Sequence, residues 1–429
     1  MKIAIVTNFL YPEGIGGTEL FCNQLAIALT ERGNEVYWFV PNFKSSATLV
    51  GKSETGINVV RFAAVDSNSR QDFAFISKSF TSELKRIGIE VAHFNEFGGE
   101  DGISTGLLAA AKKSGVLTVV TLHLVNYICR NSMMQFGGLQ PCNGKVVLHR
   151  CSSCALFSNA TDNQVVNYNL SKIFEKVFSI KAIQSLPKIK RIVHGVRLKQ
   201  LFMNDLKAYA DRIVTLTDWF KDVLLINGFP ADKIAYIPQV SPEVDISFKL
   251  KPNRERKHYV FFGRVNKEKG VDLILEIAAR LKNRFPCVYI DIYGSYTPTE
   301  VLPHTIISNL HDFDNVRYKG VLHASEVLTV MNNYKAVILP SRVAEMAPLI
   351  IMEAQKIKVP VIVSDVPGSA ELVRKNDCGR VFKYASAENL LKVIAEFEHE
   401  SMYFNFEQPM ENSYKQNAML YEELYASVK

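Results

Sequence analysis

The stretch Lys335-Ala336-Val337-Ile338-Leu339-Pro340-Ser341-Arg342-Val343-Ala344-Glu345-Met346-Ala347-Pro348-Leu349-Ile350-Ile351-Met352-Glu353-Ala354 decides the reading of this chain. Its opening run, up to Pro340, is apolar and partly β-branched, as in a short buried strand. Pro348 is preorganised for the first turn of a helix, and Leu349 to Ile357 reads as that helix. Glu345 therefore belongs to a strand-to-helix loop, and Glu353 lies about two turns further on. The first N–H groups of such a helix lack intrahelical partners and carry partial positive charge, which suits an anion or sugar oxygens. A carboxylate at Glu345 can accept hydrogen bonds from vicinal sugar hydroxyls, and one at Glu353 can grip a ribose diol. Taken alone, the two acids read more readily as a loop acid and part of a solvated face. What stands around them gives the pattern its meaning.

A chain of 429 residues, 48% hydrophobic and 22% charged, has material for two cores. Its net charge of +7 and pI near 8.8 favour an anionic ligand or an acidic membrane surface, and fall short of arguing nucleic acid. No apolar run reaches the ~18 residues of a membrane-spanning helix. Met1 to Thr7 starts like a signal peptide but passes into Pro12 and Gly14, so it reads as a first strand. The seven cysteines follow no secreted-type pattern. The expectation is a cytoplasmic protein.

From the N-terminus, Lys2–Asn8 reads as a strand, Tyr11 to Gly17 as a loop, and Thr18 as the cap of a helix ending at Gly33. Gly16 and Gly17 stand where backbone N–H groups can approach a phosphate, or where a turn merely needs glycine. The run Gly14-Ile15-Gly16-Gly17-Thr18-Glu19 departs from a dinucleotide fingerprint at Glu19. Alternating strands and helices continue to Val116–Leu122, which argues a parallel sheet covered on both faces. Ligands of such sheets sit at the carboxyl ends of the strands, where Asn95-Glu96 and His123 fall.

About ninety residues then separate Leu122 from the next clear strand, Arg212–Leu216. They hold Cys129, Cys142, Cys151 and Cys154, a C-x12-C-x8-C-x2-C spacing compatible with tetrahedral thiolate zinc, or with four reduced thiols. Asn163–Ile180 has helical character. Lys181, Lys188, Lys190, Arg191, Arg197 and Lys199 follow without an acid, as a patch for a phosphate-bearing acceptor, an anionic membrane, or simply solvent. Ser241 to Lys257 reads as a linker. Beyond it, the strand ending at Phe262 feeds Gly263-Arg264, and Lys269-Gly270 precedes a helix over Val271–Arg284. Arg264 offers a bidentate fork and Lys269 a mobile point charge, a pair suited to a diphosphate.

The Glu345-x7-Glu353 stretch resembles the motif of the retaining glycosyltransferases of family four. The resemblance implies an α/β chain of two Rossmann-like domains, the GT-B fold, facing each other across a deep cleft. On that reading residues 1–245 are an acceptor domain with a cysteine-containing insert over about 125–210, residues 246–400 a nucleotide-sugar donor domain, and 401–429 a helix crossing back. The resemblance assigns donor-sugar contact to Glu345 and His123, diphosphate binding to Arg264 and Lys269, and ribose binding to Glu353. It places Gly16, Gly17, Gly294, Leu322, Met346, Ala347, Pro348 and Leu349 around the donor. Thr121-Leu122-His123 departs from the family's pattern in carrying Leu124 where an Asp is usual. Gln239-Val240 likewise stands where Asn-Gly is usual.

The function so implied is retaining transfer of a hexose-type sugar from a UDP- or GDP-sugar to an acceptor hydroxyl, with no catalytic metal and the cysteines as a structural zinc site. Implied partners are the donor and a glycan or lipid-linked acceptor of surface-polysaccharide biosynthesis, with peripheral contact at the inner face of an anionic membrane and no nucleic acid. Three other readings stay open: a non-catalytic nucleotide-sugar-binding partner, an epimerase of the same fold, and a nicotinamide-dependent oxidoreductase, which Glu19 disfavours.

Overall fold

The structure is a computed structural model that describes all residues except 15, 66–71, 99–101, 162, 179–185, 241–245, 247, 297–312, 400–402, 405, 407–412 and 429. It divides into two units: Met1–Asn131 with Gln135–Glu243 and Glu411–Lys429, and Ser132–Met134 with Val244–Met410.

The first unit runs β1 (Lys2–Val6), α1 (Gly17–Glu31), β2 (Glu35–Asn42), β3 (Leu49–Lys52), β4 (Asn58–Ala63), α2 (Phe73–Ile87), β5 (Val91–Phe94), α3 (Thr105–Lys113) and β6 (Leu117–Leu122). The insert follows as a short hairpin, β7 (Gln135–Phe136) and β8 (Gln140–Pro141), then α4 (Leu148–Phe157), α5 (Gln164–Val177) and α6 (Pro187–Tyr209). The unit continues through β9 (Arg212–Thr215), α7 (Asp218–Ile226) and β10 (Ile234–Tyr236). Its main sheet has the order β10-β9-β6-β5-β1-β2-β4-β3, parallel except for β3 against β4. Near-continuous apolar runs such as Ile3-Ala4-Ile5-Val6, all buried, are what a sheet covered on both faces requires.

The second unit runs β11 (Lys257–Phe262), α8 (Val271–Arg284), β12 (Ile290–Tyr293), β13 (Val316–Gly320), α9 (Val327–Met331), β14 (Tyr334–Leu339), α10 (Leu349–Lys356), β15 (Val361–Ser364), α11 (Ser369–Asn376), β16 (Gly379–Phe382) and α12 (Ala387–His399). The sheet order is β13-β12-β11-β14-β15-β16, all parallel. One core packs Ile274, Ile277 and Leu281 of α8 with Leu390 and Ile394 of α12. A second, containing Ile351 and Ala354 of α10, covers the opposite face.

The last helix, α13 (Tyr414–Ala426), belongs to the first unit. A capping box opens it, with Ser413 and Gln416 exchanging side-chain and backbone bonds. Tyr414, Tyr421 and Tyr425 are buried in the core that holds Phe21, Leu25 and Leu29 of α1. Arg32 Nε donates to Glu422 at 2.6 Å across the same packing.

Several local expectations need correction. The first helix starts at Gly17, with extended Gly16 as its N-cap and no side-chain bond, so Thr18 lies inside the first turn. The insert is more regular than its sequence suggests: the 23-residue α6 carries the C-terminal part of the basic segment. Lys181, the Lys188 side chain and part of the Ser241–Lys257 linker lie outside the described residues.

Candidate functional site

In the second unit the site is built at the carboxyl ends of β11, β12 and β14. Gly270, with φ +73°, is the N-cap of α8, and a Cβ there would stand 1.9 Å from the Pro340 carbonyl oxygen. Only glycine permits that approach, which draws the Arg264–Gly270 loop against the end of β14. Arg342 N–H donates to the Glu268 carbonyl (2.8 Å), and the Arg342 guanidinium holds Asp272 at 2.7 Å. The consequence is chemical: Lys269 Nζ reaches Glu345 Oε1 at 2.7 Å, and Ser341 Oγ donates to the same oxygen at 2.7 Å. Glu345 N–H is held by the Pro367 carbonyl (3.0 Å).

Three residues after this carboxylate, Pro348 is the N-cap of α10, so the first-turn N–H groups of that helix lie close to it in sequence, that of Ile351 being taken by the Pro348 carbonyl (3.1 Å). Ala347, between them, has φ +150°, a conformation that glycine adopts freely and alanine does not. Such strain gathers where structure is spent on a site. Met346 is buried, and Pro348 and Leu349 half-buried. Glu353, also half-buried, has no hydrogen-bond donor among the described residues. Burial raises its pKa, against a smaller downward pull from Lys356. A carboxylate held from water without a donor is ready to accept hydroxyls. Arg264 is exposed and has no ion-pair partner among the described residues.

Gly294 and Leu322 are less informative. A Cβ at Gly294 would stand 1.7 Å from the Gly263 carbonyl oxygen, so close backbone approach alone demands glycine there. Leu322 is half-buried beside exposed Val321.

In the first unit, the carboxyl ends of β1, β5 and β6 gather a polar group. Asn95 Nδ2 donates to the His93 carbonyl, which leaves Asn95 Oδ1 to accept from His123 Nε2 at 3.2 Å. Burial lowers the His123 pKa to about 3, so its ring is neutral, with Nδ1 free of hydrogen bonds among the described residues. Asn8 N–H donates to Glu96 Oε2 (3.0 Å); burial raises the Glu96 pKa, and Glu19 adds to the rise. Gly14 and Gly16 wrap the Glu19 carboxylate, since a Cβ on Gly16 would meet Glu19 Oε2 at 2.3 Å. Sequence reasoning treated Glu19 only as a departure from a fingerprint. Its place in the first turn of α1, behind two glycines, was the signal that could have marked it. His93 was missed altogether: it is fully buried between Thr121 Oγ1 (2.7 Å) and Tyr425 OH (2.9 Å) and ties α13 to the sheet.

The four insert cysteines are mutual neighbours by charge. Cys151 is pushed up to about 12 by burial and further by Cys142, Cys129 and Cys154. Gly137 N–H donates to Cys154 Sγ (3.4 Å) and Gly144 N–H to Cys142 Sγ (3.5 Å). Among the described residues, no three His, Cys, Asp or Glu side chains stand in a metal-holding arrangement. Nor is any described helix long and apolar enough to cross a membrane.

Comparison with known proteins defines the class. The chain is similar to sucrose-phosphate synthase from Thermosynechococcus elongatus at TM-score 0.63 and 14% identity, covering 99% of each chain. The catalytic domain of starch synthase IV from Arabidopsis thaliana, bound to ADP and acarbose, gives 0.61 and 14%, covering 100% of this chain and 99% of that one. HepE from Anabaena, in complex with UDP, gives 0.58 and 13%, covering 100% and 97%. At these identities the likeness carries the fold: two Rossmann-like domains of the GT-B kind. No curated protein matches the chain. The family description that matches is glycosyl transferases group 1, over residues 243–419, which take in Arg264, Lys269, Glu345 and Glu353. The match takes in less than half of the chain and, with the GT-B fold, supports glycosyl transfer as its class of activity.

Proposed function

We propose that the chain transfers a hexose-type sugar from a UDP- or GDP-sugar to an acceptor hydroxyl with retention at the anomeric carbon. The observation that carries this reading is the convergence of Lys269, Ser341 and Glu345 just before α10, with Arg264 unpaired and Glu353 without a donor among the described residues. An ammonium has three donors, so Lys269 can keep Glu345 and still reach phosphate oxygens. Arg264, Lys269 and the first-turn N–H groups of α10 would stabilise charge on the β-phosphate as the anomeric C–O bond breaks. Glu345 would orient the sugar hydroxyls and Glu353 the ribose diol. His123, neutral and with no partner for Nδ1 among the described residues, would accept a hydrogen bond from a sugar hydroxyl, and the Gly16 and Gly17 amides would face the phosphates.

On a front-face path the C–O bonding pair leaves with the β-phosphate oxygen. The acceptor oxygen forms the new bond from the same face, and its proton passes to that phosphate. Cationic side chains, not a metal, do the neutralising in this account. The acceptor we favour is a lipid-linked glycan reached by peripheral contact with an anionic membrane. NMR of the product formed from an α-linked donor tests the stereochemistry: an α-product supports retention and a β-product overturns it.

The insert cysteines are proposed as a structural zinc site, for which they would have to draw together from their present positions, since no three of them stand in a metal-holding arrangement among the described residues. Burial raises the pKa of Cys142, Cys151 and Cys154, so these thiols stay neutral unless a cation joins them, and the Gly137 and Gly144 amides already point at two of the sulfurs. Metal analysis should find one zinc per chain, and removing it should lower the melting temperature. Metal-free protein of unchanged stability would contradict the assignment.

A further inference from the structure

A cavity of about 930 Å³ opens within the first unit, bordering the polar group at the ends of β1 and β5, since Ile103 of its lining donates its N–H to Asn8 Oδ1 at 2.7 Å. Its walls come from α2, the segment after β5, the start of α3, the turn after β6, and α6. Phe97, Tyr127 and Phe202 form an aromatic floor. Phe202 meets Phe97 edge-on at 5.1 Å and stacks on Tyr127 at 5.4 Å. The floor's one polar atom, Tyr127 OH, is occupied by Phe97 N–H (3.1 Å). Phe73, Leu198 and Leu201 line the same cavity and remain 51%, 45% and 56% exposed. A sugar placed here would leave its hydroxyls unmatched on the floor, whereas an apolar chain would bury area favourably.

The lining also carries a charge without a counter-ion. Lys199 is half-buried in it, with Arg130 beside it, and neither has a hydrogen-bond or ion-pair acceptor among the described residues. Burial lowers the Lys199 pKa, and Arg130 lowers it further. Arg130 rests on α6 at Gly195, where a Cβ would stand 2.8 Å from Arg130 Nε. Lys190 and Arg191 add exposed positive charge earlier on α6. The acid in the lining, Asp205, is engaged by Thr105 Oγ1 at 2.6 Å. Two adjacent cations with no ion-pair partner among the described residues, beside an aromatic floor, complement a molecule with a phosphate at one end and an apolar chain at the other.

We propose that this cavity binds a phosphate-bearing lipid, its chain on Phe97, Tyr127 and Phe202 and its phosphate on Lys199 and Arg130. The inference deepens the proposed function by naming the acceptor's chemistry, and its binding test needs no donor.

The test is calorimetric titration of the full chain with farnesyl diphosphate below its micellar concentration, alongside inorganic diphosphate, farnesol and, separately, UDP. Farnesyl diphosphate is expected to bind, with affinity falling about tenfold in Lys199→Gln and in Arg130→Gln, the loss of one charge-assisted contact. The exposed Leu201→Asp should weaken it comparably, while inorganic diphosphate and farnesol each bind at least about tenfold more weakly than the joined molecule. Absence of binding by the wild type would overturn the proposal. So would equal affinity in the variants, or equal affinity for diphosphate alone, which marks a plain anion site. UDP reports separately: a wild type that takes farnesyl diphosphate but not UDP has lost the donor reading and kept this one.

Discussion

Lys269 and Glu345 form a pair whose strength can be worked from its surroundings. The nitrogen and oxygen lie 2.7 Å apart, and the side chains are only 24% and 17% exposed, so water screens them poorly. Removing one partner leaves the other short of a counter-charge, at a cost of about 1–3 kcal/mol. The two replacements should differ. Glu345→Gln keeps an oxygen that accepts from both Ser341 and Lys269, while Lys269→Met leaves the Glu345 carboxylate with Ser341 alone. Lys269→Met should therefore be the costlier, near 2 kcal/mol, or roughly 4–8 °C for a unit of this size. The double variant should cost about 1 kcal/mol less than the sum of the singles. Trp38 and Trp219, the chain's two tryptophans, both belong to the first unit, so their fluorescence does not report this transition. Scanning calorimetry does. Additivity to within about 0.5 kcal/mol would show that the pair does not couple and that Lys269 is not held by Glu345.

Gly270→Ala places a methyl group 1.9 Å from the Pro340 carbonyl at φ +73°, so backbone must move. It should lower the second unit's melting temperature by at least the roughly 4–8 °C of Lys269→Met and weaken nucleotide binding; an unchanged calorimetric trace would contradict the close approach. His93 and His123 titrate near 3 in the fold because burial disfavours their charge, while unfolded histidine titrates near 6.5. Between those values the unfolded chain binds more protons, so stability rises with pH and is lost as pH falls, by about 1.4 kcal/mol per pH unit for each group. Urea midpoints followed by tryptophan fluorescence from pH 6.5 to 5 should show this slope, roughly halved in His93→Gln; a flat profile would mean that neither imidazole is buried neutral.

The sequence made the parallel βα alternation legible because strands buried on both faces must be continuous apolar runs, as in Ile3–Val6 and Val361–Val363. It also singled out the residues proposed for the donor, since Arg264, Lys269 and Glu345 sit in loops that Gly263, Gly270 and Pro348 mark, and Glu353 follows inside α10. What it left hidden depends on contacts between distant segments. Nothing near His93 announces a buried imidazole whose partner, Tyr425, lies over three hundred residues away. The cavity beside α6 is assembled from five separate segments, and its leucines look like ordinary helix residues one at a time. The insert helices were blurred for another reason: α6 has no strongly amphipathic stripe, and the cysteine pair inside α4 drew the eye to metal spacing instead of helix.

The most direct test of the donor site is a thermal-shift series with UDP, GDP, ADP and a nicotinamide dinucleotide on wild type, Arg264→Ala and Glu353→Ala. At a ligand concentration of 100 times its Kd, binding adds about 2.7 kcal/mol, or roughly 5–10 °C for a unit of this size. The account predicts such a rise with UDP or GDP in the wild type and its loss in both variants. A rise with the dinucleotide alone, or a nucleotide shift that survives both substitutions, would contradict it.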